Sequence, residues 1–222
     1  MFRALLRVLR STPWLPLLPV AALLLPAWSA SADEATMTYV EFRMTAPWIK
    51  PDSFNGATRK LWRHEDARLR MEEPRNPGNG VEMTMIANLP DAWMLDRVKK
   101  VGRHFVDPGP RFNVIFPVFQ VGAPVELKGL QMGREVAFVK DQADVERAEA
   151  TLDGAACETY AFKAGGADVR LWVDKATGHP RQASLKTEKI AYSVRYEVYR
   201  TGLPFDAALF SLPPDVEVDE AK

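Results

Sequence analysis

The sequence predicts a mainly β fold with a few short helices (α+β): a single curved antiparallel sheet that forms an open half-barrel under a helical or loop lid. Three observations predict it. Apolar and polar residues alternate with period two in segment after segment beyond residue 36, which is the signature of half-buried strands. Turn signals separate those segments at hairpin spacing. One stretch, Asp107 to Gly133, abandons the alternation while carrying a heavy phenylalanine load.

From Thr38 to Ala46, Val40, Phe42 and Met44 share one face and Glu41, Arg43 and Thr45 the other. Thr58 to Arg63 pairs with Arg68 to Glu72 across the polar turn His64-Glu65-Asp66-Ala67, and Pro74 to Gly80 makes the next connection. Val81, Met83 and Met85 share a face that Trp93 and Leu95 continue; Val101 and Phe105 return beyond a hairpin tip around Lys99-Lys100. In the middle segment Phe112, Val114, Ile115, Phe116, Val118 and Phe119 crowd together among Pro108, Pro110 and Pro117. Pro124 then opens a short helix ending before Gly133, with proline near its first turn and glycine past its last. Strands resume over Glu135 to Lys140, Ala148 to Leu152, Cys157 to Lys163, Val169 to Asp174, Arg181 to Thr187 and Ile190 to Arg200. Asp153-Gly154, Gly165-Gly166 and Thr177-Gly178 mark turns between them. In the last strand Ile190, Tyr192, Val194, Tyr196 and Val198 occupy one face. About ten consecutive antiparallel strands argue for one sheet or an open barrel rather than βαβ units.

The 222 residues hold 29 basic and 29 acidic side chains and are 47% hydrophobic, enough apolar material for a sizeable core. Residues 1–32 differ from the rest. Arg3, Arg7 and Arg10 precede an apolar run from Trp14 to Trp28, and Ala30-Ser31-Ala32 precede Asp33-Glu34, the tripartite plan of a cleavable export signal. Residues 33–222 are then one domain, in which acidic side chains outnumber basic ones by three. That balance gives no attraction for polyanions, so nucleic acid is excluded as a partner. The expected location is the periplasm, as a soluble exported protein.

Chemistry is hard to find. There is no nucleophile elbow, P-loop, dinucleotide fingerprint, zinc-binding HExxH or calcium loop. The single cysteine, Cys157, and three histidines match no zinc spacing. His64 and His104 read as solvated turn residues, His179 as part of the turn before Pro180, and Glu72-Glu73 as a solvated strand end. No enzyme and no cofactor are expected. What stands out is the inventory of eight methionines, six tryptophans and eleven phenylalanines. An ordinary core accounts for many of them. Methionine also suits surfaces that accept variable hydrophobic ligands, and a curved sheet under an apolar segment makes a concave pocket. The candidate cavity residues are Trp62, Met71, Met83, Met85, Trp93, Leu95 and Phe105, and the candidate lid residues are Phe112, Ile115, Phe116, Phe119, Leu127 and Leu130.

Two stretches resemble the LolA/LolB-type lipoprotein-carrier superfamily. The first is Lys60-Leu61-Trp62-Arg63 through Arg70-Met71 to Ala92-Trp93-Met94-Leu95. The second comprises Leu171-Trp172-Val173-Asp174, Gly178-His179-Pro180-Arg181, Tyr196, and the tail from Pro204-Phe205-Asp206 to Val216-Glu217-Val218. The resemblance implies a periplasmic half-barrel with a lid over a lipid-binding cavity. This chain departs from the family pattern in leading straight into a strand through Thr36-Met37-Thr38-Tyr39, so the lid would come from Phe112 to Met132. Where the family carries a functional arginine in the charged turn, the corresponding residue is Glu65, and no lipobox cysteine is present. The expected function is carriage of a lipid, lipoprotein acyl chain or other hydrophobic molecule, with a transient inner- or outer-membrane protein partner. The alternative is an envelope sensor of the same fold that binds a membrane protein, with the basic hairpin Arg97 to Arg103 as a contact for the partner or for anionic headgroups.

Overall fold

The computed structural model describes residues 36–109 and 113–220; the expected export signal and Phe112 lie outside them. Twelve strands form one sheet. They are β1 (Met37–Thr45), β2 (Arg59–His64), β3 (Arg68–Glu72), β4 (Met83–Asn88), β5 (Asp91–Asp96), β6 (Val101–Val106), β7 (Glu146–Leu152), β8 (Ala155–Ala164), β9 (Ala167–Asp174), β10 (Pro180–Lys186), β11 (Ala191–Leu203) and β12 (Glu217–Glu220). Their order is β12-β6-β5-β4-β3-β2-β1-β11-β10-β9-β8-β7, so the sheet has two free edges and is not closed into a barrel. Every pairing is antiparallel except β12 with β6.

Cross-strand partners project to the same face of a sheet. Val40, Leu61 and Met71 are in register across β1, β2 and β3, and all three are buried. They define an inner face that Phe42, Tyr160, Leu171, Ala183, Leu185 and Val194 extend into one core. Residues 113–140 cross this face from the β6 edge to the β7 edge, and Phe116, Val118, Phe119, Leu127, Leu130, Met132 and Val139 fill it. The strip is itself stitched as a loose hairpin: Val118 N–H donates to the Leu130 carbonyl at 2.9 Å and Met132 N–H to the Phe116 carbonyl at 2.9 Å.

The outer face has a second, smaller core. Residues 204–216 run across β2 to β5 there, Arg70 donates to the Leu209 carbonyl at 3.1 Å, and Phe210 is buried together with Ile86 and Leu95. The chain then ends beside β6 as β12.

Several elements differ from the sequence reading. Glu135–Lys140 is a helix, α1, rather than a strand. Its buried residues are Glu135 and Val139, an i,i+4 pair that a six-residue window cannot separate from alternation. The segment after Pro124 is a single 3-10 helix, Val125–Gly129, with Pro124 at its N-cap. In β11 the register with β1 shifts, so that Phe42 faces Tyr196 while Glu41 faces Val198 and Val40 faces Tyr199. The resulting bulge places Tyr196 and Tyr199 on the inner face and turns Val198 outward. Two of the three histidines are not turn residues: His64 ends β2 and is buried, and His104 lies inside β6, whereas His179 lies in the turn before Pro180. Glu72 and Glu73 are held by ion pairs to Arg70 and Arg97, and to Arg59, respectively.

Candidate functional site

The site is built from one row of the inner face and from the latch that holds residues 113–140 over that face. Beginning at β3, Met71 pairs with Met85 and Met85 with Met94, so three methionines stand side by side on adjacent strands. Burial declines steadily along the row. Met71 is 7% exposed, Met85 is half-buried and Met94 is 40% exposed. Met83 flanks the row on the same face, two residues from Met85, and Phe105 flanks it through its pairing with Ala92. Val114, in the crossing segment, packs against the core, and Asp107 starts that segment by accepting the Val114 N–H at 2.8 Å. The methionine row therefore runs from the buried core to open solvent. Flexible thioether side chains on such a surface adapt to ligands of variable shape.

The seven candidate cavity residues do not face one common space. Met71, Met83, Met85 and Phe105 are on the inner face. Trp62 pairs with Arg70, Arg70 with Ile86 and Ile86 with Trp93, and Leu95 pairs with Thr84. Those residues belong to the outer face, against the C-terminal segment. Of the candidate lid residues, Phe116, Phe119, Leu127 and Leu130 are buried against the inner face and Ile115 is half-buried.

Sequence reasoning missed the latch. Arg63, on the inner face of β2 in register with Thr38, is buried. Its Nε donates to the Met132 carbonyl at 2.8 Å and a terminal nitrogen donates to Gln131 Oε1 at 2.9 Å, so the central sheet grips the crossing segment. Burial, together with the nearby Arg134 charge, pushes its pKa down to about 10. Three residues beyond Met132, Glu135 is fully buried. Its Oε1 accepts from Gly133 N–H and from Tyr196 hydroxyl, both at 2.9 Å, and its Oε2 from Tyr199 hydroxyl at 2.9 Å. Burial holds the Glu135 carboxyl above the usual carboxylate range against these donations, and raises both tyrosines as well. Gly133 makes this approach possible. It has a φ of 82°, which favours glycine, and a Cβ there would crowd Arg63 Cδ at 3.2 Å. Arg63 lies two residues before Glu65, and it is Arg63 that reaches the crossing segment.

Among the described residues, no three His, Cys, Asp or Glu side chains come together as a metal site. No family model matches the chain. No curated protein matches it either. Solved structures do match. An uncharacterized conserved protein from Thermus thermophilus superposes with a TM-score of 0.51 at 12% identity, covering 85% of this chain and 93% of that one. LolA superfamily proteins are among the structural neighbours. One, from Nitrosomonas europaea, has a TM-score of 0.34 at 10% identity over 81% of this chain and 91% of its own. The Pseudomonas aeruginosa MucA/MucB complex gives a TM-score of 0.42 at 15% identity, with 81% of this chain covering 56% of that chain. At such identities the likeness concerns the fold alone.

Proposed function

We propose that this chain is a periplasmic binding protein that holds a lipid tail, a lipoprotein acyl chain or another hydrophobic molecule against the inner face, and that it acts without chemistry. The observation that carries this reading is the Met71–Met85–Met94 row, which continues the buried core outward into solvent. An apolar surface left open in this way gains about 0.8 kcal/mol for each methylene it covers. The Arg63 and Glu135 contacts hold the crossing segment in place, so loading a longer chain requires that segment to shift away from β2 and β11. Residues 1–32 serve in this reading as the cleaved export signal.

The test is extraction of the purified protein for mass spectrometry of bound lipid, with titration of the fluorescent probe N-phenylnaphthylamine. Wild type is expected to carry lipid or to enhance the probe's emission, and Met85→Asp to lose most of that signal while remaining folded. Protein that is free of lipid and silent toward the probe overturns the reading. Stable co-purification with one membrane protein, without lipid, favours the sensor alternative, for which the exposed Val98 and Val101 at the β5–β6 tip are the contact surface.

A further inference from the structure

Resting on that reading, the geometry points to the class of ligand: we propose that it is a single-chain amphiphile with an oxyanion headgroup, a carboxylate or a phosphate, and that Arg103 recognises the headgroup. Met94 pairs with Arg103 across β5 and β6, so the methionine row ends in a guanidinium on the same face. From Met71 to Arg103 the row crosses three inter-strand steps, about 14 Å at the usual strand spacing. A tail laid along the methionines brings its head to the arginine.

Arg103 is exposed and, among the described residues, it enters no ion pair, whereas two nearby cations at this end of the sheet are committed. Arg97 is tied to Glu72 and Glu82, and Lys100 to Asp215 at 2.8 Å. Asp219 is the register neighbour of Arg103 on β12 and Asp96 lies two residues from Met94 on the same face of β5, but neither is within ion-pair distance of the guanidinium, which leaves its donors open. A guanidinium offers a planar fork of donors that matches a carboxylate or phosphate with two parallel hydrogen bonds. A cationic head at the same place meets like charge.

The experiment is displacement of N-phenylnaphthylamine from the full chain by dodecanoate, dodecyl phosphate, dodecyltrimethylammonium and dodecyl maltoside, each below its micellar concentration. Wild type and the exposed-site variants Arg103→Glu and Arg103→Lys are compared. Wild type is expected to bind at least one anionic compound about tenfold more tightly than the cationic one, and the stronger of dodecanoate and dodecyl phosphate identifies the headgroup. Arg103→Glu is expected to abolish or reverse that preference and leave the maltoside unchanged. Arg103→Lys, which keeps the charge and loses the fork, is expected to retain part of it. Equal binding of anionic and cationic compounds, or a preference that survives Arg103→Glu, overturns this inference while leaving the binding-protein reading intact. Failure of all four compounds to displace the probe overturns that reading, and this inference with it.

Discussion

At the level of single residues, the chain buries an arginine and a glutamate beneath an apolar strip, and both are anchored by groups far away in sequence. Glu135 meets Tyr196 and Tyr199 across separations of 61 and 64 residues, and Arg63 meets Gln131 and Met132 across 68 and 69. No local pattern in the sequence marks either residue as buried, because a charged residue beside an alternating strand reads as its solvent face. The aromatic bulge that satisfies Glu135 is equally hidden, since a period-two reading carries Val198 inward in place of Tyr199. The carboxyl of Glu135 has a pKa raised by burial. For a group raised in the folded state, the stabilisation is complete below the unfolded-state value and is lost as pH rises through the folded value. Urea-unfolding midpoints of wild type are therefore expected to decline as pH is raised from the ordinary glutamate range. Glu135→Gln, which cannot ionise, is expected to show a flatter profile over that window, and an identical decline in the variant would refute the assignment.

At the level of elements, strands with regular alternation were legible, and the two short elements at the ends of crossing segments were not. α1 has six residues, too few for its i,i+4 pair to stand out from alternation. β12 has four, and its acidic residues face solvent; its partner β6 lies more than a hundred residues upstream. Beside its backbone pairing with β6, β12 is tied to the sheet by the His104 side chain. Its Nδ1 lies 2.8 Å from Glu220 Oε2 and its Nε2 lies 2.8 Å from Asp91 Oδ1, with the ring stacked on Trp93 at 5.4 Å. Two carboxylates accept only, so both ring nitrogens must donate, and only imidazolium has two donors. Glu220 and then Asp91 accordingly raise the His104 pKa. The tie to β12 is fully present below about 6.5, the unfolded-state value, and is lost as pH rises through the folded one. NMR titration is expected to place His104 above that reference, and Glu220→Gln to lower it and speed amide exchange in β12. A wild-type value at or below the reference removes the tie.

For the whole molecule, the architecture of one open sheet under a mid-chain cover was legible from repeated alternation and a phenylalanine-rich interruption. The division of apolar residues between two faces was not, because it depends on register. The turn between β2 and β3 sets Leu61, not Trp62, opposite Met71, and one residue of register exchanges the faces. Three of the seven expected cavity residues, Trp62, Trp93 and Leu95, thus lie on the outer face, where the smaller core closes over Phe210. The two cores are separable. Phe210→Ala is expected to cost about 3–5 kcal/mol in urea unfolding while leaving probe binding at the inner face unchanged; loss of both together would mean that the faces are coupled. The seam between β1 and β11 has a further consequence. Thr45 and Ser193, 148 positions apart, lie at one end of the pairing that joins the two halves of the sheet. Loop-closure entropy must be met before such a pairing forms. The β1 edge stays unpaired until nearly the whole chain is available, so refolding should be slow and its yield should fall as protein concentration rises.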